Sequence, residues 1–489
     1  MLRRLLPILI VSALVLEASA CKPTPEGAVK VAVIGATPTM RDPALGPLSA
    51  PDAVLLTNVA QGLVRFDAAG NIVGGLAERW NVSDDGLSYI FRLSSAEWPD
   101  GRKITAQQAA KLLKRNLAPR SKNSLKDALG AIEDIVAMTD RVIEIRLIAP
   151  RPSLLATLAQ PEMAIFRGRF GTGPFSLSAP PNANGFLRLT HEATVGDDEK
   201  PEKEEVELAG GAAADAISSF AAGKVDLVLG GTFTDLPLTQ RVQLPRGSVR
   251  FDPASGLFGL VPSKPHGGLD DPDERRLLSQ AIDRATFVTA LNVPGLAPRA
   301  TVLEPGLDGM PNPAVPAWLN TPIADRRTAL LAEASRVFGK GDKPVIKIAV
   351  PEGPGGELLL VALGRDWGIF GFKVERAKDL AEANFRVIDL VAPSASSAWF
   401  VRQFRCDVTP ICDPEADGLM DAARQTLIPP QRYALLQQAA LKIDEKLLFI
   451  PIAAPVRWSL VSNRIQGFAG NRYAVHTLTG LDQKPGAGD

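Results

Sequence analysis

The pattern of hydrophobic and polar positions predicts a mixture of strands and helices along the whole chain. Residues 29–34 alternate and then become wholly apolar, and residues 142–148 alternate throughout, which is the period of a half-buried strand. Residues 87–93 predict another strand, which ends a hairpin that turns on residues 84–86. Strands separated by helices, without a regular repeat, favour a large mixed α/β protein over a barrel or a repeat array.

Capping residues predict where helices begin. Thr105 precedes an apolar-periodic run and is followed three residues later by Gln108, which is a capping-box pattern. Asp271 offers an N-cap with proline at the first helical position. Three further elements are predicted: a helix from Pro322 to a stop at Gly339, a helix from Arg432 to Leu447, and an apolar strand starting at Phe449.

The N-terminus predicts a secretory signal peptide covering residues 1–20. Arg3 and Arg4 precede an apolar run over residues 5–16, and small residues provide a cleavage site at its end. The run is shorter than the roughly 20 residues that cross a bilayer. Cys21 follows directly, so the protein is either lipidated on Cys21 or released after ordinary cleavage. Both outcomes predict a periplasmic protein, anchored to the envelope in the first case.

Length and charge narrow the class of protein. The 489 residues exceed the usual limit of about 250–300 residues for one hydrophobic core, so two or three domains are expected. Basic and acidic residues balance at 54 each. We therefore expect no field that would attract nucleic acid, and no membrane contact except through the N-terminal lipid.

Motifs for catalysis and metal binding are incomplete. His191-Glu192 begins a zincin-like string, but Val195 stands where the second histidine is required. Residues 171–173 lack the third glycine of a dinucleotide-binding loop. The three histidines are far apart in sequence and show no ligand spacing. We expect no enzyme activity, no cofactor and no dedicated metal site.

Eight segments of the chain carry a family resemblance. They are 41–43, 61–67, 74–93, 98–109, 171–175, 223–227, 275–284 and 412–423. In this order they resemble the family 5 solute-binding proteins of ABC importers, which carry oligopeptides, dipeptides and nickel. The resemblance covers nearly all of the chain after Cys21.

This resemblance implies a two-lobed α/β fold of the periplasmic-binding-protein type, class II, with an extra inserted domain. Mapped onto this chain it gives lobe I from 22–48, 160–255 and 460–489, the extra domain from 49–159, and lobe II from 256–459. It also implies a monomer that captures a peptide or other small organic solute between its lobes and delivers it to an ABC permease. The alternative is an envelope lipoprotein with the same fold that acts as a scaffold or sensor partner.

The resemblance directs the search for ligand residues to residues 388–406. Peptide-binding members carry an acidic residue there that pairs with the ligand's amino group. This chain has Pro393-Ser394-Ala395 instead, unless Asp389 or Asp407 substitutes. An uncompensated ammonium in a closed cleft is costly, which argues against classical peptide recognition. The candidate ligand residues are Thr37, Thr39, Ser394, Ser396, Ser397, Trp399, Arg402, Arg457 and Trp458.

Several of the motifs that carry the resemblance also have purely structural interpretations. Tyr89 and Phe91, with Trp80, are expected to fill the core of the hairpin. The segment that carries Ser394, Ser396 and Ser397, which we call the serine loop, is equally compatible with an ordinary loop that places Trp399 in the core. Asp283-Arg284 is interpreted as a charge pair on a helix face.

Cys406 and Cys412 admit three interpretations: a metal ligand set, a redox couple or a structural bridge. Zinc would need two further ligands that the neighbouring sequence does not offer, and the spacing is not that of a C-x-x-C redox motif. An extracytoplasmic location favours a disulfide. Dipeptide-binding members of the family resemble this chain in having cysteines at both places, so a structural bridge is predicted.

Overall fold

The computed structural model describes residues 27–178, 180–193, 202–263, 269–339 and 341–481. The predicted signal peptide, the cleavage site and Cys21 lie outside these residues, as does His266. Strands and helices are numbered along the chain below.

The largest sheet has seven strands and belongs to the unit we call lobe I. In order across the sheet they are β10 (Ser176–Ser178), β11 (Leu187–Ala193), β12 (Glu202–Gly211), β1 (Val29–Ile34), β13 (Leu227–Thr232), β20 (Arg457–Val461) and β14 (Val249–Phe251). β1 runs parallel to both of its neighbours, β12 and β13. Its alternating Val29, Val31 and Val33 are all buried, which is the pattern expected from the sequence.

The second sheet has five strands and belongs to the unit we call lobe II. In order they are β17 (Lys373–Arg376), β16 (Val345–Ala349), β18 (Phe385–Val391), β15 (Gly256–Pro262) and β19 (Ile450–Ala453). Every residue of β15 is buried, because helices and neighbouring strands cover both of its faces. The predicted apolar strand near Phe449 is β19, at the edge of this sheet.

A four-stranded antiparallel sheet forms the unit we call the extra domain. In order its strands are β4 (Ala77–Val82), β5 (Ser88–Leu93), β7 (Val142–Leu147) and β6 (Ile132–Thr139). Tyr89 and Phe91 are buried in its core, with Trp80 packed against them, as predicted. Two short hairpins lie nearby in the chain: β2 (Val64–Phe66) with β3 (Ile72–Gly74), and β8 (Phe166–Arg167) with β9 (Phe170–Gly171).

The helices include two that begin directly after the predicted caps Thr105 and Asp271. The α-helices are α1 (Ala50–Val59), α2 (Ala106–Leu117), α3 (Leu154–Leu158), α4 (Ala213–Ala221), α5 (Leu236–Thr239), α6 (Pro272–Ala281), α7 (Arg284–Leu291), α8 (Ile323–Val337), α9 (Pro354–Gly368), α10 (Ser397–Arg402), α11 (Pro414–Gln425) and α12 (Pro429–Glu445). Thr105 Oγ1 accepts from Gln108 N at 3.3 Å, and the Asp271 carboxylate accepts from Asp273 N at 2.8 Å. Among the described residues no helix is long and apolar enough to span a membrane.

The first helix packs on lobe I and not on the extra domain. α1 begins at its Ser49 cap and buries Leu55 and Val59 in the core of the seven-stranded sheet. The apolar face of α1 thus completes the core next to β1, and the domain boundary at residue 49 stays a prediction.

The interpretation of Asp283-Arg284 as a charge pair on a helix face is wrong. α6 ends at Ala281, and Asp283 caps α7 by accepting from Thr286 N at 3.1 Å. The Arg284 side chain turns inward, where it donates to the carbonyl oxygens of Pro451 and Ser279, both at 2.7 Å. The chain bends between two helices at this point. The Asp283 side chain therefore caps α7, while the Arg284 side chain is buried.

Two segments cross between lobe I and lobe II. The chain passes from β14 to β15 through residues 252–255 and returns from β19 to β20 through residues 454–456. Beside these crossings Arg457 of β20 holds both carboxylate oxygens of Asp389 on β18, at 2.7 and 2.8 Å. An ion pair thus joins the two sheets at the place where the chain connects them.

Candidate functional site

A pocket lies where the extra domain meets lobe II. The extra domain contributes Asp127 and the chain that leads into α3, while lobe II contributes the loop before α10 and the facing sides of α11 and α12. The enclosed space is about 50 Å³, which is room for a few water molecules or one small polar group. The polar and aromatic side chains that line it are Asp127, Arg151, Ser153, Thr157, Ser394, Ser396, Trp399, Arg402, Arg424 and Arg432.

The serine loop forms one wall of this pocket. Ser394 and Ser396 are buried and line it, and neither hydroxyl has a hydrogen-bond partner among the described residues. Ser397 differs, since its N–H and its hydroxyl both donate to Asp308 Oδ2, at 2.7 and 2.6 Å. The Asp308 carboxylate therefore fixes the start of α10 and leaves two free hydroxyl groups facing the pocket.

Arg402 at the end of α10 connects lobe II to the extra domain. Its Nε and Nη2 atoms donate to the two oxygens of Asp127, the second at 2.5 Å. Its Nη1 atom is buried and has no hydrogen-bond partner within the described part of the chain; the nearest carboxylate oxygen, on Asp421, is 3.9 Å away. Arg424 reaches the same Asp127 carboxylate at 2.6 Å. One carboxylate thus serves two guanidinium groups across the junction.

Arg151 and Arg432 add positive charge without a carboxylate partner. Arg151 donates only to the carbonyl oxygens of Pro150 and Arg424, both at 2.8 Å. Burial lowers the pKa of Arg151 to about 10, and the charges of Arg432 and Arg424 act in the same direction. The Arg432 guanidinium lies near the Tyr433 ring, and no hydrogen bond or ion pair joins it to another described residue.

Asp127 titrates in a strongly basic setting. Its partial burial favours the neutral acid, but the hydrogen bonds and charges of Arg402 and Arg424 outweigh that effect and hold the pKa of Asp127 below its usual value. The pocket therefore keeps a single carboxylate ionised among four guanidinium groups, and positive charge is in excess there.

The predicted candidates at the end of β1 lie outside this pocket. Thr37 is exposed just beyond β1. Thr39 donates through its N–H and its hydroxyl to Asp52 Oδ1, at 2.8 and 2.9 Å, which ties the loop to α1. Thr39 thus has a local structural partner, and neither threonine meets the serine loop.

The candidates after the late strand are also placed elsewhere. Trp458 is 1 % exposed, and its Nε1 donates to the Thr232 carbonyl oxygen at 2.8 Å, so the ring packs in the core and its role as a ligand residue stays a prediction. Arg457 is committed to Asp389 at the crossing between the lobes. Asp389 is consequently not free to receive a ligand ammonium, and the exposed Asp407 pairs with Arg405 at 3.2 Å.

The two cysteines lie beyond α10. The structure joins Cys406 and Cys412, with Sγ atoms 2.10 Å apart. The loop they close leads from α10 to α11, whose Arg424 lines the pocket. The bridge therefore belongs to the scaffold that carries the lobe II wall.

The arginines at positions 151, 424 and 432 were not predicted from the sequence. Each comes from a different element, and none lies within a motif that marks it as a ligand residue. Within the described residues, histidine, cysteine and carboxylate side chains do not gather into a group of three that could hold a metal ion.

Comparison with known proteins places this geometry in context. The family of bacterial extracellular solute-binding proteins, family 5 Middle, matches residues 71–399. A probable di/tripeptide-binding protein of Pseudomonas aeruginosa is 26% identical over 470 residues, which cover 84% of this chain and 87% of that protein.

Solved structures show the same fold. The murein tripeptide binding protein MppA of Escherichia coli superposes with a TM-score of 0.79 at 18% identity, covering 94% of this chain and 99% of MppA. OppA of Haemophilus influenzae superposes with a TM-score of 0.77 at 16% identity, covering 94% of this chain and 100% of OppA. The α/β architecture with two lobes and an extra domain is therefore that of periplasmic binding proteins.

Proposed function

Because this chain belongs to the bacterial extracellular solute-binding proteins of family 5, we propose that it is the solute receptor of an ABC importer. It captures a peptide or other small organic solute between its lobes and delivers that solute to a membrane permease. The observation that carries this proposal is the match of residues 71–399 to that family, and the pocket at the junction of the extra domain and lobe II is a candidate place for one polar group of the solute. A ligand that bridges such units stabilises the closed arrangement through contacts that the open form lacks.

The Pseudomonas aeruginosa relative, a probable di/tripeptide-binding protein, supports a peptide-like solute. The acidic residues near the serine loop are less favourable to the recognition of an amino group. Asp389 is paired with Arg457 and Asp308 with Ser397, while Asp407 lies at the surface. We therefore propose that no carboxylate near the serine loop pairs with an ammonium group of the solute, and that other groups hold the solute.

The remaining features fit an exported receptor. We propose cleavage after residue 20, with Cys21 carrying a lipid that tethers a monomeric protein to the envelope. In that compartment the Cys406–Cys412 bridge stays oxidised. The protein works by binding and release and carries out no catalysis.

Thermal unfolding in the presence of a broad peptide and metabolite library tests this function. A true solute stabilises the native protein by RT ln(1 + [L]/Kd), about 2.7 kcal/mol at one hundred times its Kd. Native mass spectrometry of the protein as purified identifies any solute trapped in it. A complete lack of stabilisation, together with protein free of bound small molecules, contradicts the receptor function and favours a scaffold or sensor role.

A further inference from the structure

The pocket between the extra domain and lobe II is short of negative charge. Four guanidinium groups line it, and Asp127 is the only carboxylate among the described lining residues. Asp421 pairs with Arg405 at 2.7 Å, and Asp308, which accepts from Ser397 at the start of α10, adds a second negative charge that acts on Arg151. Buried cations in such excess are costly unless an anion joins them.

Unpartnered donors face this space. Arg432 is 4 % exposed and has no hydrogen-bond or ion-pair partner among the described residues, while Arg402, 8 % exposed, adds its charge at the same wall. The hydroxyl groups of Ser394 and Ser396 stand on the same wall. Cations and hydroxyl donors around one cavity form the arrangement that recognises an oxyanion.

Other buried arginines of this chain show what a structural arginine looks like. Arg284 is 1 % exposed, and its guanidinium donates to the Pro451 carbonyl, the Ser279 carbonyl and the Ser279 hydroxyl, all within 3.0 Å. Arg275 likewise donates to four backbone carbonyl oxygens. Arg432 has none of these bonds although it is buried to a similar degree. Its guanidinium is therefore not explained by the fold alone.

We propose that this pocket binds an oxyanion group of the solute, a carboxylate or a phosphate, through Arg432 and the hydroxyl groups of Ser394 and Ser396, with the charge of Arg402 beside them. The proposal rests on the solute-receptor function and specifies the solute as anionic. Arg151 contributes its positive charge from the extra domain, so the anion bridges the two units beside Asp127. The space of about 50 Å³ accepts the anionic group alone, and the remainder of the solute extends out of the pocket.

The test uses small probes with the purified full-length mature protein at constant ionic strength. Succinate, inorganic phosphate and the dipeptide Ala-Ala are compared with the neutral succinamide and with Ala-Ala amide by calorimetric titration and thermal unfolding. We expect the anionic probes to bind and to raise Tm, and their neutral counterparts to bind at least tenfold more weakly. Comparing the affinities of phosphate and succinate shows which kind of oxyanion the pocket prefers. Comparing Ala-Ala with Ala-Ala amide shows whether the carboxylate of a peptide is recognised.

Two variants show whether the binding depends on the proposed pocket. Arg432→Gln removes the unpaired charge and is expected to weaken the best anionic probe at least tenfold. Without any probe the same variant is expected to unfold at the same or a higher temperature than the wild type, because an uncompensated buried cation has been removed. Arg246→Gln makes the same change on an exposed arginine of lobe I and leaves both binding and stability as in the wild type.

Two outcomes overturn the proposal. One is equal binding of acidic and neutral probes, or an absence of binding by all of them. The other is unchanged anion binding in Arg432→Gln. Neither outcome touches the receptor function itself, which the separate solute library and the trapped-solute measurement decide.

Discussion

At the scale of single residues, two buried arginines differ in their hydrogen-bond partners and therefore in what they do. Arg284 is buried, donates to the carbonyl oxygens of Pro451 and Ser279, and holds α7 against β19. Arg432 is buried beside the Tyr433 ring, has no hydrogen-bond or ion-pair partner among the described residues and adds positive charge to the pocket. Asp444 is a third case, a half-buried carboxyl group that accepts a single backbone hydrogen bond from Val302 N at 2.9 Å.

We predict that Asp444 makes folding stability fall as pH rises. Burial raises the pKa of Asp444 to about 7, so its stabilising contribution is fully present below the unfolded value near 4 and is lost as pH rises through 7. Asp444→Asn keeps an oxygen acceptor for Val302 but cannot ionise. We expect the variant to be more stable than the wild type at pH 8 by on the order of 2–4 kcal/mol.

Urea unfolding of both proteins between pH 4 and pH 8 measures this difference. The gap in the free energy of unfolding is expected to widen between about pH 4 and pH 7 and to level off above pH 7. A gap that stays constant across the range means that the titration of Asp444 is not its source.

At the scale of elements, α9 packs against lobe I through a close contact between the backbone at Gly355 and the backbone at residues 233–234. The N-terminus of α9 lies against residues 233–234, where Gly355 N donates to the Thr234 carbonyl oxygen at 2.8 Å. A Cβ atom on Gly355 would come within 1.9 Å of the Phe233 carbonyl oxygen. A helix of lobe II thus touches the end of β13 at a point that only glycine permits.

We predict that Gly355→Ala destabilises the contact between α9 and lobe I. The added methyl group cannot fit against the Phe233 carbonyl, so the helix must move away, at a cost of about 1–3 kcal/mol. Gly368→Ala is the matched control in the same helix, because nothing lies within 4 Å of its added Cβ. We expect that control to be neutral or to stabilise by up to about 1 kcal/mol, since alanine is the better helix former.

Thermal unfolding of the two variants, with backbone hydrogen exchange over residues 345–376, measures both effects. Equal stability of Gly355→Ala and Gly368→Ala would show that the packing at residue 233 is not as tight as the structure has it.

At the scale of the whole molecule, polar links join three units, and the two lobes also share an apolar core. The two crossings beside the Arg457–Asp389 pair join the lobes, and the Asp127 carboxylate joins the extra domain to lobe II through Arg402 and Arg424. The Asp127 bridge and the bond from Arg151 to the Arg424 carbonyl oxygen link the extra domain to lobe II, so loss of the Asp127 bridge is expected to let these units separate more often. Gln160 Nε2 adds one more by donating to the Pro393 carbonyl oxygen at 2.8 Å.

We predict that Asp127→Asn shifts the protein without solute toward an open form. The substitution removes the counter-charge of Arg402 and Arg424 and leaves four guanidinium groups facing each other across the junction. We expect a larger radius of gyration in small-angle X-ray scattering and a loss of stability of about 1–3 kcal/mol.

Asp134→Asn is the control for this prediction, because its ion pair with Lys114 lies wholly within the extra domain. That variant should keep the radius of gyration of the wild type. If both variants have the same dimensions as the wild type, the Asp127 bridge does not govern the opening.

The sequence by itself determined the local structure and the family of this protein. The period of apolar residues located β1, β5 and β7, and the caps at Thr105 and Asp271 located two helices, because such signals depend on neighbours within a few residues. The ordered motifs led to the family and to its two-lobed architecture.

Only the tertiary structure decided which side chains share a site. The Asp127–Arg402 bridge joins residues 275 positions apart, and Arg432 approaches Arg151 from another unit. Ser394, Ser396, Trp399 and Arg402 were found from the sequence because they follow one another in the segment that the family resemblance singled out. The other arginines, the placement of α1 and the burial of Trp458 depend on packing between distant elements, which no local pattern specifies.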